Sequence, residues 1–240
     1  MAAAWRTVAE MQARDLLRRR AAVLLLVIFP MIWYGAEAAA GISYAVGTGI
    51  LAIAWAAATA ALFAFVAARH VDLRLVQAGY RPRDLVAGRL SALLVISTTI
   101  ALVLGVVMVA GSRPTRTGEV FLALVLTALI STSVGWLTAA VVPRELEGTV
   151  LLIGLVGLQV SIPLSGVANL FVPYYGPLRL TDYDQPRIGP TGPALHAVVW
   201  ALVIALVALV LWRRHQLLAA ADDPPTGDAY CRRDDGAFQP

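Results

Sequence analysis

Six long apolar runs joined by short connections constrain this chain more than any other feature. They are Ala21–Ala40, Val46–Ala68, Leu90–Ser112, Val120–Val142, Thr149–Leu170 and Ala194–Trp212. Each is about the length that crosses ~30 Å of hydrocarbon as a helix. In lipid every backbone N–H and C=O must be satisfied by the protein itself, which leaves helices or a closed barrel. The runs lack the apolar–polar alternation of barrel strands, so helix is the reading. Hydrophobic residues make up 59% of the chain, and a mean hydropathy of +0.75 lies outside the range of soluble domains. The expected architecture is an all-α polytopic membrane protein with six transmembrane helices over these runs. An amphipathic interfacial helix over 1–20 precedes them. A polar tail over 213–240, with Pro224-Pro225 and several aspartates, is expected to be disordered.

Arginine sets the orientation, because the chain contains no lysine. With the N-terminus inside, the inner segments hold thirteen arginines: 6, 14, 18, 19, 20, 69, 74, 81, 83, 89, 144, 213 and 214. The outer segments hold four, Arg113, Arg116, Arg179 and Arg187. The bias predicts that both termini are cytoplasmic. A net charge of +4 then fits an anionic inner leaflet and gives no reason to invoke nucleic acid. The Ala-rich stretch at 36–40 resembles a signal-peptide cleavage site. Cleavage there would remove the first of an even set of spans, so the N-terminus is expected to stay. The single Cys231 lies in the tail, so there is no intrachain disulfide, and a lone thiol makes no metal site.

Several local elements can be read between and within the runs. Arg6, Glu10, Arg14 and Arg18 recur every four residues as one charged stripe, with Glu10 placed to pair with Arg6 and Arg14. Trp5, Val8, Ala9 and Leu16 fall on the other side, so this helix is expected to lie in the inner interface. Pro30 removes a backbone donor from the middle of the first span and should kink it. The longest inner connection, 69–89, reads as a short helix to Ala78, a cap at Gly79, and a restart at Pro82 with Asp84 in the first turn. Its surface, charged at Asp72 and Arg74 and apolar at Leu73, Leu75 and Val76, suits either docking or a place against the headgroups. Glu145 and Glu147 in the first turn of span five are accounted for by the helix dipole. The outer segment 171–193 has too many prolines for a long helix.

Chemistry has few places to reside. Glu37 is the one carboxylate inside a span, near its outer end, and an intramembrane acid is a functional candidate by default. Ser165-Gly166 and His196 invite comparison with membrane serine proteases of the rhomboid type. The first glycine of a Gly-x-Ser-Gly motif is missing, however, and the sequence does not give the serine–histidine distance that proton transfer needs. Without lysine there is no Gly-x-x-x-x-Gly-Lys-Ser/Thr phosphate loop, and no HExxH motif or paired cysteine occurs. The chain is therefore not expected to be an enzyme or to hydrolyse ATP itself. On span five Gln159, Ser161, Ser165 and Asn169 recur at spacings of two to four. Together with Glu37 they either line a pathway or bond between helices.

This order of elements resembles the permease subunits of ABC-2 type transporters. Two stretches add to the architecture. The first is Ala78-Gly79-Tyr80-Arg81-Pro82-Arg83-Asp84-Leu85-Val86-Ala87-Gly88-Arg89, a glycine turn with a basic entry into span three. The second is Glu145-Leu146-Glu147-Gly148, leading into a span that ends in Leu164-Ser165-Gly166. The resemblance implies a permease without its own cofactor, facing a second permease subunit, identical or paralogous, in the lipid of a bacterial plasma membrane. Each permease would sit on a separate ABC ATP-binding subunit that binds the ATP. It also implies that Asp72, Arg74, Leu75, Gln77 and Tyr80 form the ATPase-docking surface and that the cargo is a drug or antibiotic leaving the cell. An ATPase-independent secondary carrier or a structural membrane protein is the alternative.

Overall fold

The computed structural model of the protein describes residues 4–18, 20–42, 44–142, 144–161, 166–182 and 189–222. Among these no strand occurs. The helices are α1 (Ala4–Arg18), α2 (Arg20–Ala39), α3 (Ala45–Gln77), α4 (Pro82–Ser112), α5 (Thr117–Val141) and α6 (Glu145–Ser161). A 3-10 turn (Gly166–Phe171), α7 (Tyr175–Thr181) and α8 (Thr191–Asp222) come after them. Among the described residues four stretches are long and apolar enough to cross a membrane: Ala45–Arg69, Pro82–Ser112, Thr117–Val141 and Thr191–Arg214. The apolar part of α2, Leu26–Ala39, and the 17-residue α6 are shorter. At 1.5 Å per residue α6 rises about 25 Å. The chain is thus a multi-pass, all-helical membrane protein.

Two boundaries differ from the sequence-based expectation. Span two and the short helix expected after it form one uninterrupted 33-residue helix, α3. Nothing between Ala68 and Ala78 breaks it, because the first glycine comes at 79. There Gly79 takes φ +92, its N–H bonds the Val76 carbonyl, and the Tyr80 N–H bonds the Leu75 carbonyl. That pair of bonds closes the helix as a Schellman cap. The second difference is at α8, which continues through Asp222, past the boundary placed at Trp212. Leu and Ala in 217–221 favour helix. The rest of the tail, 223–240 with Cys231, lies outside the described residues, as do Ser165 and the Pro163-Leu164 pair before it. α2 runs through Pro30 without a break in its assignment.

α5 is the axis of the bundle, packed against α3, α4, α7 and α8. Its sequence explains how neighbours come so close. Thr127, Thr132, Ser133 and Thr138 each donate to a carbonyl one turn earlier in the same helix. Their hydroxyls are satisfied locally and leave a narrow surface, the small-residue packing favoured in membranes. A side chain at Gly135 would run into the Ala58 carbonyl, with the Ala61 methyl also within reach. Across from it Ala54, Ala57, Ala58 and Ala61 of α3 are buried. One turn earlier on nearly the same face of α5, the Ser131 hydroxyl meets the fully buried Tyr174 hydroxyl at 2.9 Å. That contact ties the segment before α7 to the core.

Candidate functional site

Two assemblies stand out, one at each end of α3. The first gathers at the arginine-rich end. α1 lies along α4 with Val8, Gln12 and Leu16 turned inward at intervals of four. Gly88 makes that approach possible, since a side chain there would come within 2.6 Å of the Trp5 carbonyl and 2.7 Å of Val8 Cβ. One residue later, the Arg89 guanidinium donates to Asp72 Oδ1 at 2.5 and 3.2 Å and to Gln12 Oε1 at 2.5 Å. Asp72 is 3% exposed and Arg89 8%. Three helices, α1, α3 and α4, are thereby fastened by one buried polar cluster. Burial pushes the Asp72 carboxyl above the ordinary carboxylate range, and the hydrogen bonds and charge of Arg89 pull it back only in part.

This separates the residues expected to dock. Asp72 points into the cluster and offers nothing to an outside partner. Arg74 and Gln77 are exposed at the end of α3, while Leu75 and Tyr80 are half-buried. Leu75 borders a cavity of about 290 Å³ together with Val8, Met11, Gln12 and Asp15 of α1. α1 does carry the expected charged stripe, with Arg14 and Glu10 paired at 2.5 Å in the open and Arg6 over the Trp5 ring at 5.6 Å. Gln12 and Arg89 were not singled out from sequence. The signal was the Gly88-Arg89 step, a close approach with a charge next to it at the mouth of an apolar run.

The second assembly surrounds Glu37. α2 ends in another Schellman cap, with Gly41 at φ +71 and Ile42 N–H bonded to the Glu37 carbonyl. The turn brings the start of α3 back against the last turn of α2. Glu37 Oε2 accepts from the Thr48 hydroxyl at 2.5 Å, and Oε1 accepts from Trp33 Nε1 at 3.1 Å. Both donors are neutral. No arginine pairs with this carboxylate among the described residues. It borders a cavity of about 320 Å³ with Trp33, Trp55, Leu51 and the Val156-Gly157 step of α6. Trp33 and Trp55 meet edge to face at 6.4 Å, and Phe29 lies 5.6 Å from Trp33 and 5.8 Å from Trp55. A second apolar hollow of about 340 Å³ adjoins through Trp55 and extends past Phe63 and Ile153. The two hollows share Trp55 and lie side by side along α2, α3 and α6, with Glu37 bordering the first.

The remaining expected pathway residues are elsewhere. Gln159 is spent on backbone, donating to the Leu155 carbonyl at 3.1 Å and accepting from the Tyr174 N–H at 3.4 Å. Asn169 sits in the 3-10 turn, and its carbonyl accepts the Val172 N–H. Ser161 closes α6. Ser165 lies outside the described residues. His196, its suggested partner in proteolysis, has Nε2 3.1 Å from the Leu170 carbonyl, which also takes the Trp200 indole N–H at 2.9 Å.

Comparison with known proteins adds one finding. No curated protein matches the chain. The family described as ABC-2 type transporter matches residues 2–169, a span that begins ahead of α1 and ends inside the 3-10 turn. Both assemblies, the Gln12–Arg89–Asp72 cluster and the Glu37 pocket, fall within it. With more than half of its length matched, the chain belongs to the ABC-2 type transporter family, as the membrane permease component of an ABC-type transporter.

Proposed function

We propose that this permease exports drug-like compounds and is driven by a separate ABC ATP-binding subunit seated at the arginine-rich end. The observation that carries this reading is the fastening of α1 to the extended end of α3 through Arg89. A push on the Ala78–Arg81 turn is met by a rigid three-helix unit instead of a loose loop. Arg74 and Gln77 offer exposed polar contacts there, and Leu75 and Tyr80 an apolar edge. Asp72 acts from inside, holding α3 against α4. On this reading the arginine-rich end is cytoplasmic, with both termini inside a bacterial plasma membrane. The two shorter apolar helices complete six spans, and a second permease subunit faces the first.

Co-purification in mild detergent tests the partnership directly. The tagged permease should bring down a stoichiometric ATP-binding subunit, and Leu75→Asp should reduce its recovery on the order of tenfold while membrane insertion stays normal. Because Leu75 also borders α1, Arg74→Glu serves as a surface variant that disturbs no packing and should weaken recovery in the same direction. Full recovery of the ATPase by both variants sinks the docking surface.

A further inference from the structure

The Glu37 pocket is chemically unlike the rest of the bundle, and we infer that it binds a monovalent organic cation with an aromatic or bulky apolar body. Glu37 is half-buried in the last turn of α2, and a carboxylate beside hydrocarbon is costly unless something of opposite charge answers it. Several other acids in the described chain pair with arginine: Asp72 with Arg89 in the interior, Glu10 with Arg14 and Glu147 with Arg144 at the surface. Among the described residues Glu37 has only the Thr48 hydroxyl and the Trp33 indole N–H, which orient it without neutralising it. Both held oxygens keep lone pairs for a further donor.

The walls fit the same ligand. Indole faces attract cations through the ring quadrupole, tryptophan most strongly. Trp33 and Trp55 stand beside the carboxylate, and Phe29 extends the aromatic surface toward the apolar hollow. A cation seated by Glu37 would place its apolar body along Trp55 and Phe63. About 320 Å³ falls at the low end of the ~300–1,000 Å³ typical of drug-sized sites, and the adjoining hollow lengthens it. An anion would meet the carboxylate unscreened. A neutral compound would gain the walls and leave the charge unanswered. Such cations are then the cargo class of the proposed exporter; their binding stands without that reading, and only their ATP-driven transport rests on it.

The test is equilibrium dialysis of radiolabelled tetraphenylphosphonium against the purified permease, with tetraphenylborate as an anion of the same shape. Saturable binding of the cation and none of the anion is expected. Glu37→Gln should weaken binding on the order of tenfold or more, and Glu37→Asp should restore most of it. Trp55→Leu should weaken binding several-fold and Trp55→Phe much less. Equal binding of both ions, or cation binding unchanged in Glu37→Gln, overturns the site. Absence of cation binding by folded wild-type protein, as when lipid or a second copy fills the hollow, overturns it as well. Uptake of the same cation into inverted vesicles with ATP separates the two readings. Cation bound but never pumped leaves the site standing and removes the exporter, whereas pumping of other compounds without cation binding does the reverse.

Discussion

At the scale of single residues, Asp72 and Arg74 show how far sequence alone can be read. Both are charged and stand two positions apart in the same connection, and nothing in their spelling says that one is buried and one exposed. A helix turns about 100° per residue, so the two must point to nearly opposite sides. Which side is inward depends on where α1 lies, and that is a tertiary fact. Trp33 stands four positions before Glu37 on one helix, a spacing that could have revealed the pair but was not used. Thr48 reaches the same carboxylate only because Gly41 reverses the chain, so its contribution was out of sight. The buried pair also yields a prediction. Arg89→Leu leaves the Asp72 carboxylate without its counter-charge and should cost about 3–5 kcal/mol of stability. Replacing both, as Asp72→Leu with Arg89→Leu, should cost clearly less. Thermal melts of the two variants in detergent check this, and equal losses would mean that the pair is not what the fold depends on.

Among elements, existence was easier to read than extent. Long apolar runs flagged the helices because a lipid-exposed backbone has no alternative, and Gly79 and Pro82 marked a turn with a mechanism. The helix to Ala78 was read but its continuity with span two was missed, because the apolar run stops at Ala68 and a change of composition looks like a boundary, although Arg74 and Gln77 are good helix formers. The outer segment was rightly denied a long helix, and α7 has seven residues. Helix-to-helix spacing was hardly legible. Only the structure sets Gly135 of α5 against the Ala58 carbonyl. Gly135→Leu should therefore force α3 and α5 apart, with loss of most folded protein by fluorescence-detected gel filtration. The same change at Gly154, where nothing stands within 4 Å, should leave the yield near wild type. Similar yields from both would show that the contact tolerates slack.

For the whole molecule, the arginine bias predicts an orientation that helices alone do not carry. In a Cys231→Ser background, a cysteine at Thr115 should react with a membrane-impermeant maleimide on intact cells. One at Arg81 should react only after the membrane is opened. The reverse pattern would invert the protein and put the proposed ATPase seat on the wrong side. The unbroken course of α3 has a mechanical consequence in this frame. Thr48 stands near one end of a rod about 50 Å long, and Asp72 and the Gly79 turn stand at the other. Gly135 of α5 presses against its Ala58 partway along, a close contact placed where a fulcrum would be. A stiff beam pivoting at an inner point swings its two ends in opposite senses, so whatever shifts the Gly79 end shifts Thr48, and the hydroxyl it gives to Glu37, the other way.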